Sequence, residues 1–73
     1  MAVDKRRAER RRDELLMTRH WHLRDLEAYR EKGDAYGVAR CERLVKADNR
    51  RIREYCARHN LELPHDVPPE DAE

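Results

Sequence analysis

The chain has no phenylalanine, no serine and only two glycines, and these absences restrict both its fold and its chemistry. Aromatic residues make up 5% and charged residues 45% of the 73 residues, so the chain cannot bury a large core alone. Domains of this size usually need a disulfide, a metal, a partner or very regular helix packing. Without serine, and with Gly33 and Gly37 as the only glycines, a serine nucleophile and a glycine-rich phosphate loop are excluded. We therefore expect one small domain without enzymatic activity.

The sequence also lacks a long apolar run, so we expect neither a membrane span nor a secretion signal. The two cysteines, Cys41 and Cys56, fall in one predicted helix. Their separation along that helix is about 22 Å, which is beyond disulfide distance. Reduced core thiols are typical of a cytoplasmic protein, although a disulfide to another chain stays open.

No group of residues has the spacing of a metal site or a cofactor site. His20 and His22 lie on different faces of a helix, and Cys56 with His59 would give two ligands where structural zinc uses four. There is no C-x-x-C or H-x-x-x-H motif. We expect no metal, no cofactor and no small-molecule substrate within one chain.

Apolar residues recur at helical spacing in two stretches on either side of Gly33 and Asp34, and the second stretch is a near-perfect heptad pattern. This predicts a first helix over about residues 4–32 and a second over about 35–59, joined by a short turn. The fold class is therefore all-α, an antiparallel two-helix hairpin over residues 4–63. The first stripe contains Leu15, Leu16, His22, Leu23, Leu26 and Tyr29, and the second Val38, Cys41, Val45, Asp48, Ile52, Tyr55 and His59.

The ends of the predicted helices carry recognisable caps. Asp4 and Asp34 are suitable N-caps, and Gly33 and Asn60 can adopt the left-handed conformation that ends a helix. Gly37 weakens the first turn of the second helix but would let the helices approach closely near the bend.

Leu61 and Leu63 should fold back on the open end of the hairpin, which is the end away from the turn. Pro64 prevents helix continuation. The stretch 64–73 combines prolines and acidic residues with almost nothing to bury, so we expect a disordered acidic tail there.

One register brings every apolar position of the stripes opposite another. It pairs Tyr29 with Val38, Leu26 with Cys41, Leu23 with Leu44, His22 with Val45 and Leu15 with Ile52. It also pairs Arg19 with Asp48, the two charged residues that interrupt the stripes. Because each would be costly to bury alone, we predict that they form an ion pair that sets the register.

A second stripe on the first helix contains Met17, Trp21 and Ala28, away from the predicted core. Trp21 is the only tryptophan, and an exposed tryptophan beside a methionine is a common anchor in protein interfaces. We predict that this face binds another chain, most simply in a homodimer that forms a four-helix bundle.

The net charge of +1 hides a strong asymmetry, because residues 4–12 carry six basic side chains whereas residues 61–73 carry five acidic ones. The hairpin would gather basic residues of both helices at its open end. They are Lys5, Arg6, Arg7, Arg10, Arg11, Arg12, Arg50, Arg51, Arg53 and Arg58. Such a cluster can contact an acidic protein, a phosphate backbone or only water, and the sequence leaves these alternatives open.

These patterns together indicate a small adaptor or regulatory protein that docks on a macromolecular partner, with a protein partner favoured over nucleic acid. The alternatives are a nucleic-acid-binding protein without base readout and a structural subunit of a larger assembly. The short, Arg-rich, Ser-free composition would suit a bacterial or bacteriophage accessory protein.

Overall fold

A computed structural model describes residues 5–70 as two antiparallel helices followed by a segment that packs against both. Helix α1 comprises Lys5–Lys32 and helix α2 comprises Ala35–Arg58. The predicted all-α hairpin is confirmed, and the two described helices lie within the predicted ranges 4–32 and 35–59. Asp4, predicted to cap α1, lies outside the described residues.

The turn between the helices is fixed by local hydrogen bonds. Gly33 has a positive φ of 73°, and the amides of Gly33 and Asp34 donate to the carbonyls of Arg30 and Tyr29, at 3.1 and 3.0 Å. This is the hydrogen-bond pattern of a Schellman motif. Asp34 then caps α2, because its Oδ1 accepts from the Gly37 amide at 3.0 Å.

The helices approach closely at Gly37, which is buried against the ring of Tyr29. A Cβ at this position would lie 2.6 Å from Cγ and 2.8 Å from Cε1 of that ring. Real Cβ atoms do not come so close to other heavy atoms, so only glycine fits without movement of Tyr29. The close approach predicted for Gly37 is therefore confirmed.

The main apolar cluster lies near the open end of the hairpin. Ile52 is fully buried, Leu15 and Cys56 are 8% and 2% exposed, and Val67 is 1% exposed. Half-buried side chains of Leu16, Tyr55, Leu61 and Leu63 pack against this cluster, as predicted for the last two. Val67 shows that residues beyond α2 contribute to the core.

The C-terminal segment, residues 61–70, is where the structure departs most from the sequence prediction. After the left-handed Asn60, the Leu61 amide donates to the Cys56 carbonyl at 2.8 Å, and a turn from Pro64 to Val67 returns the chain to the helices. The expected disordered tail is therefore wrong for residues 64–70, because one buried valine and several hydrogen bonds hold them. Residues 71–73 lie outside the described residues.

Arg19 and Asp48 are both buried between the helices, at 8% and 5% exposure, but they do not form the predicted ion pair. Arg19 Nε donates to Asn49 Oδ1 at 2.5 Å, and its Nη1 and Nη2 donate to the side chain and carbonyl of Asp66 at 3.2 and 2.7 Å. His22 lies opposite Asp48 instead, with 2.5 Å between Nδ1 and Oδ2. The predicted Arg19–Asp48 pair is replaced for two reasons. His22, one helical turn beyond Arg19, takes the position opposite Asp48. Asp66, in the segment for which the sequence predicts disorder, supplies the carboxylate for Arg19.

Candidate interaction surfaces

The side of α1 opposite the core carries two large apolar side chains exposed to solvent. Met17 is 55% and Trp21 54% exposed, and Ala28, on the same side, is also exposed. Since residues four and seven positions apart lie on the same side of an α-helix, these residues share a face. The sequence predicts that this surface binds another chain, and that binding stays a prediction.

A shallow groove of about 430 Å³ lies on this face beside Trp21. Its lining is mainly apolar and consists of Asp13, Leu16, Met17, His20 and Trp21. The His20 ring meets the indole edge-on at 5.9 Å, and the Arg24 guanidinium lies over the indole at 5.5 Å from its centroid. These neighbours orient Trp21 without covering it. We call this surface the Trp21 face.

The start of α1 presents five exposed basic side chains within its first seven residues, namely Lys5, Arg6, Arg7, Arg10 and Arg11. Arg11 forms an exposed ion pair with Glu14 at 3.0 Å. Exposed pairs of this kind contribute little to stability, so the arginine remains accessible to a partner. We call these five residues the basic end.

Arg12 belongs to the predicted basic cluster but serves the fold. Its Nη1 donates to the Glu62 carbonyl at 3.4 Å, and its Nε lies 3.5 Å from Asp13 Oδ1. The contact confirms that the start of α1 lies beside the chain that follows α2.

Burial raises the pKa of the nearby Cys56 thiol, and the positive charge of Arg12 opposes this rise in part. A protonated thiol is a poor nucleophile and a poor metal ligand, which favours a packing role for Cys56.

The basic residues of α2 are distributed over different surroundings. Arg53 donates to the Pro68 carbonyl at 3.3 Å and so holds the C-terminal segment. Arg50 lines a shallow groove on α2 with Arg43, Lys46 and Ala47. Arg51 and Arg58 are exposed. Arg12 and Arg53 therefore bind the C-terminal segment, whereas the sequence predicts both as part of a basic binding cluster.

The acidic C-terminal segment lies against the helices without covering the basic end. Arg12 and Arg53 donate hydrogen bonds to the backbone carbonyls of Glu62 and Pro68. The Asp66 carboxylate forms an ion pair with Arg19, which is buried between the helices. None of these contacts involves the five residues of the basic end. The described part of the tail thus leaves the basic end exposed.

Within residues 5–70, no group of three or more histidine, cysteine, aspartate or glutamate side chains is placed to hold a metal ion. Neither α1 nor α2 has an apolar stretch of the length that crossing a membrane requires. Cys41 and Cys56 are both buried and free. In comparisons with known proteins, the chain matches no family model, no curated protein and no solved structure.

Proposed function

We propose that this chain is a small non-enzymatic binding protein, an adaptor or regulator that docks on an acidic macromolecular partner. The observation that carries the proposal is the basic end, where five basic side chains are exposed within two turns of α1. The fold does not use these side chains for packing. A concentrated positive surface attracts acidic partners and speeds their association.

An acidic protein surface fits the basic end better than single-stranded nucleic acid does. The half-buried Tyr55 packs against the core cluster, and no aromatic side chain lies among the five basic residues. Base stacking on aromatic rings is a main source of affinity for single strands. Arginine binds carboxylates through paired hydrogen bonds, which suits an acidic peptide or protein.

Duplex DNA is the second candidate partner, and one observation favours it. Arg43, Lys46 and Arg50 line a groove on α2 and add a second positive surface to the basic end. A phosphate backbone can bind two such surfaces through counterion release, with affinity that falls steeply as salt rises. The two free buried cysteines fit a reducing, cytoplasmic setting for either partner.

A titration against two defined polyanions tests the proposal. The chain is titrated with poly-L-glutamate and, separately, with a short duplex DNA at low and moderate salt, and binding is followed by sedimentation. The test variant replaces Arg7 and Arg11 by glutamine, and the control variant replaces the exposed Arg40 and Arg43 of α2 by glutamine. We expect binding of poly-L-glutamate that the test variant weakens roughly tenfold and the control leaves nearly unchanged.

Other outcomes of this titration are also informative. Tighter binding of duplex DNA, with a loss of affinity in both variants, would place nucleic acid first. If neither polyanion binds at low salt, the basic end is a solvated surface and the proposed function is refuted.

A further inference from the structure

The exposed side of α1 has a regular pattern of charges in addition to its apolar centre. Starting at Arg6, exposed residues recur at alternating steps of four and three through Arg10 and Met17 to Glu27 and Glu31. This is the spacing at which one helix presents a continuous seam to another helix. The seam lies opposite the stripe that α1 buries against α2, so the fold leaves it unpartnered.

The charges on this seam are complementary to those on the seam of a second α1 helix that runs in the opposite direction. Its beginning is basic, with Arg6 and Arg10, and its end is acidic, with Glu27 and Glu31. If two copies of α1 lie antiparallel, Arg6 faces Glu31 of the second copy and Arg10 faces Glu27. Both pairs share one midpoint, between Thr18 and Arg19. In a parallel arrangement each arginine would face itself.

The residues in the middle of the seam form pairs about the same midpoint. Asp13 would face Arg24 of the second copy, and Met17 would face His20. The Trp21 side chains, one from each copy, would flank this centre and cover the groove beside Met17. An apolar centre between charged ends is the usual anatomy of a protein interface.

The charges of the seam are not explained by the isolated helix. The first turn of α1 contains no acidic residue, although negative charge is favoured at a helix N-terminus, and Glu31 lies in the last turn, where positive charge is favoured. Arg6, Arg10, Glu27 and Glu31 form no ion pair or side-chain hydrogen bond with other residues of 5–70. In the antiparallel pair, the basic start of one helix lies beside the negative end of the other helix dipole.

We propose that the Trp21 face binds a second copy of this chain in an antiparallel twofold contact between two α1 helices, forming a four-helix bundle. This proposal rests on the proposed function in one respect, namely that the exposed surfaces of the chain serve binding. It assigns Arg6 and Arg10 to self-association. Lys5, Arg7 and Arg11 remain outside the seam and are available to an acidic partner.

A pair of charge-reversal variants tests both the contact and its direction. One variant carries Arg6→Glu and Arg10→Glu, and the other carries Glu27→Arg and Glu31→Arg. Arg6→Glu and Glu31→Arg place charges where the helix dipole favours them, so α1 should stay folded in both variants, which circular dichroism checks. Each variant alone would bring like charges together in an antiparallel dimer, whereas an equimolar mixture restores every opposite-charge pair.

Sedimentation across a wide range of concentrations at low salt provides the measurement. We expect a wild-type dimer, each variant alone weakened roughly tenfold or more, and recovery of dimer in the mixture. The matched control is Arg40→Glu with Arg43→Glu, which changes the charge by the same amount as Arg6→Glu with Arg10→Glu but on the exposed surface of α2. This control should dimerise as the wild type does. Trp21, the only tryptophan, supplies a second readout, because dimer formation should shield its fluorescence from a soluble quencher.

Four outcomes would overturn this proposal. A wild-type chain that stays monomeric throughout would show that no second copy covers the face. Variants that dimerise normally, or a mixture that does not recover, would place the contact elsewhere or in another orientation. Growth beyond the dimer would exclude a closed twofold contact. None of these results affects the polyanion test, because that test depends on Arg7 and Arg11.

Discussion

The two ends of the hairpin are closed in different ways. At the turn, the backbone hydrogen bonds, the Asp34 cap and the approach of Gly37 to Tyr29 all lie within one short stretch, from Tyr29 to Val38. At the open end, the contacts join residues far apart in sequence, such as Arg12 with Glu62 and Arg19 with Asp66, which are 50 and 47 positions apart. The turn therefore depends on local backbone rules, whereas the open end depends on the tertiary arrangement of the whole chain.

This difference predicts where the hairpin is most vulnerable. Ordering a long stretch of chain at the open end costs conformational entropy, which must be offset by a few buried groups. Val67 is the only apolar side chain of residues 64–70 that is fully buried. The docking of the C-terminal segment should therefore be cooperative and sensitive to a single side chain.

The largest effect is expected from Val67→Asp. A carboxylate cannot remain unpaired at a site that is 1% exposed, so the segment should undock and the free energy of unfolding should fall by about 3 kcal/mol. Urea unfolding followed by circular dichroism, at one fixed chain concentration, measures this loss. The segment covers Cys56, whose thiol should then react faster with a thiol reagent, both from access and because the burial that raises its pKa is lost.

His65→Asp is the matched control for this prediction. His65 is exposed and lies two positions away in the same segment, so the same acidic side chain should change stability by less than about 0.5 kcal/mol. Equal losses in both variants would mean that the segment contributes through charge and not through the burial of Val67.

The sequence predicts the turn in detail because each of its signals acts on its immediate neighbours. Gly33 supplies the positive φ, Asp34 supplies the cap, and Gly37 allows the close approach, and all three roles follow from residue type and position. The helical period likewise places Met17 and Trp21 away from the core. What binds that face is a question that the period cannot answer.

The same reasoning could not predict the closure of the open end. Val67 is a single apolar residue between an acidic residue and two prolines, so it has no periodic pattern. The register of the two helices pairs Arg19 with Asp48, but the carboxylate that Arg19 contacts is that of Asp66, which lies outside both helices. The sequence also predicts Arg12 and Arg53 as part of a basic binding cluster, although the structure uses both to hold the C-terminal segment.

At the turn end, Gly37→Ala gives the next largest effect. In an exposed helix this substitution stabilises by about 1 kcal/mol, but here the new methyl group would overlap the ring of Tyr29. We expect a net loss of about 2 kcal/mol. The same substitution in a Tyr29→Ala background, where the ring is absent, should instead stabilise the hairpin. A loss of similar size in both backgrounds would show that the close approach to Tyr29 is not the cause.

The smallest of these effects is expected from Asp34→Ala, which removes one hydrogen bond at the turn. The Gly37 amide would lose its side-chain acceptor, and α2 would begin without a cap, so stability should fall by about 1 kcal/mol. Asp34→Asn keeps an oxygen acceptor and should retain most of this stability, apart from the favourable negative charge at the helix N-terminus. Because the turn depends on local contacts, neither variant should change the reactivity of the Cys56 thiol under native conditions. A large increase in that reactivity would show that the two ends are coupled and would remove the distinction between local and tertiary closure.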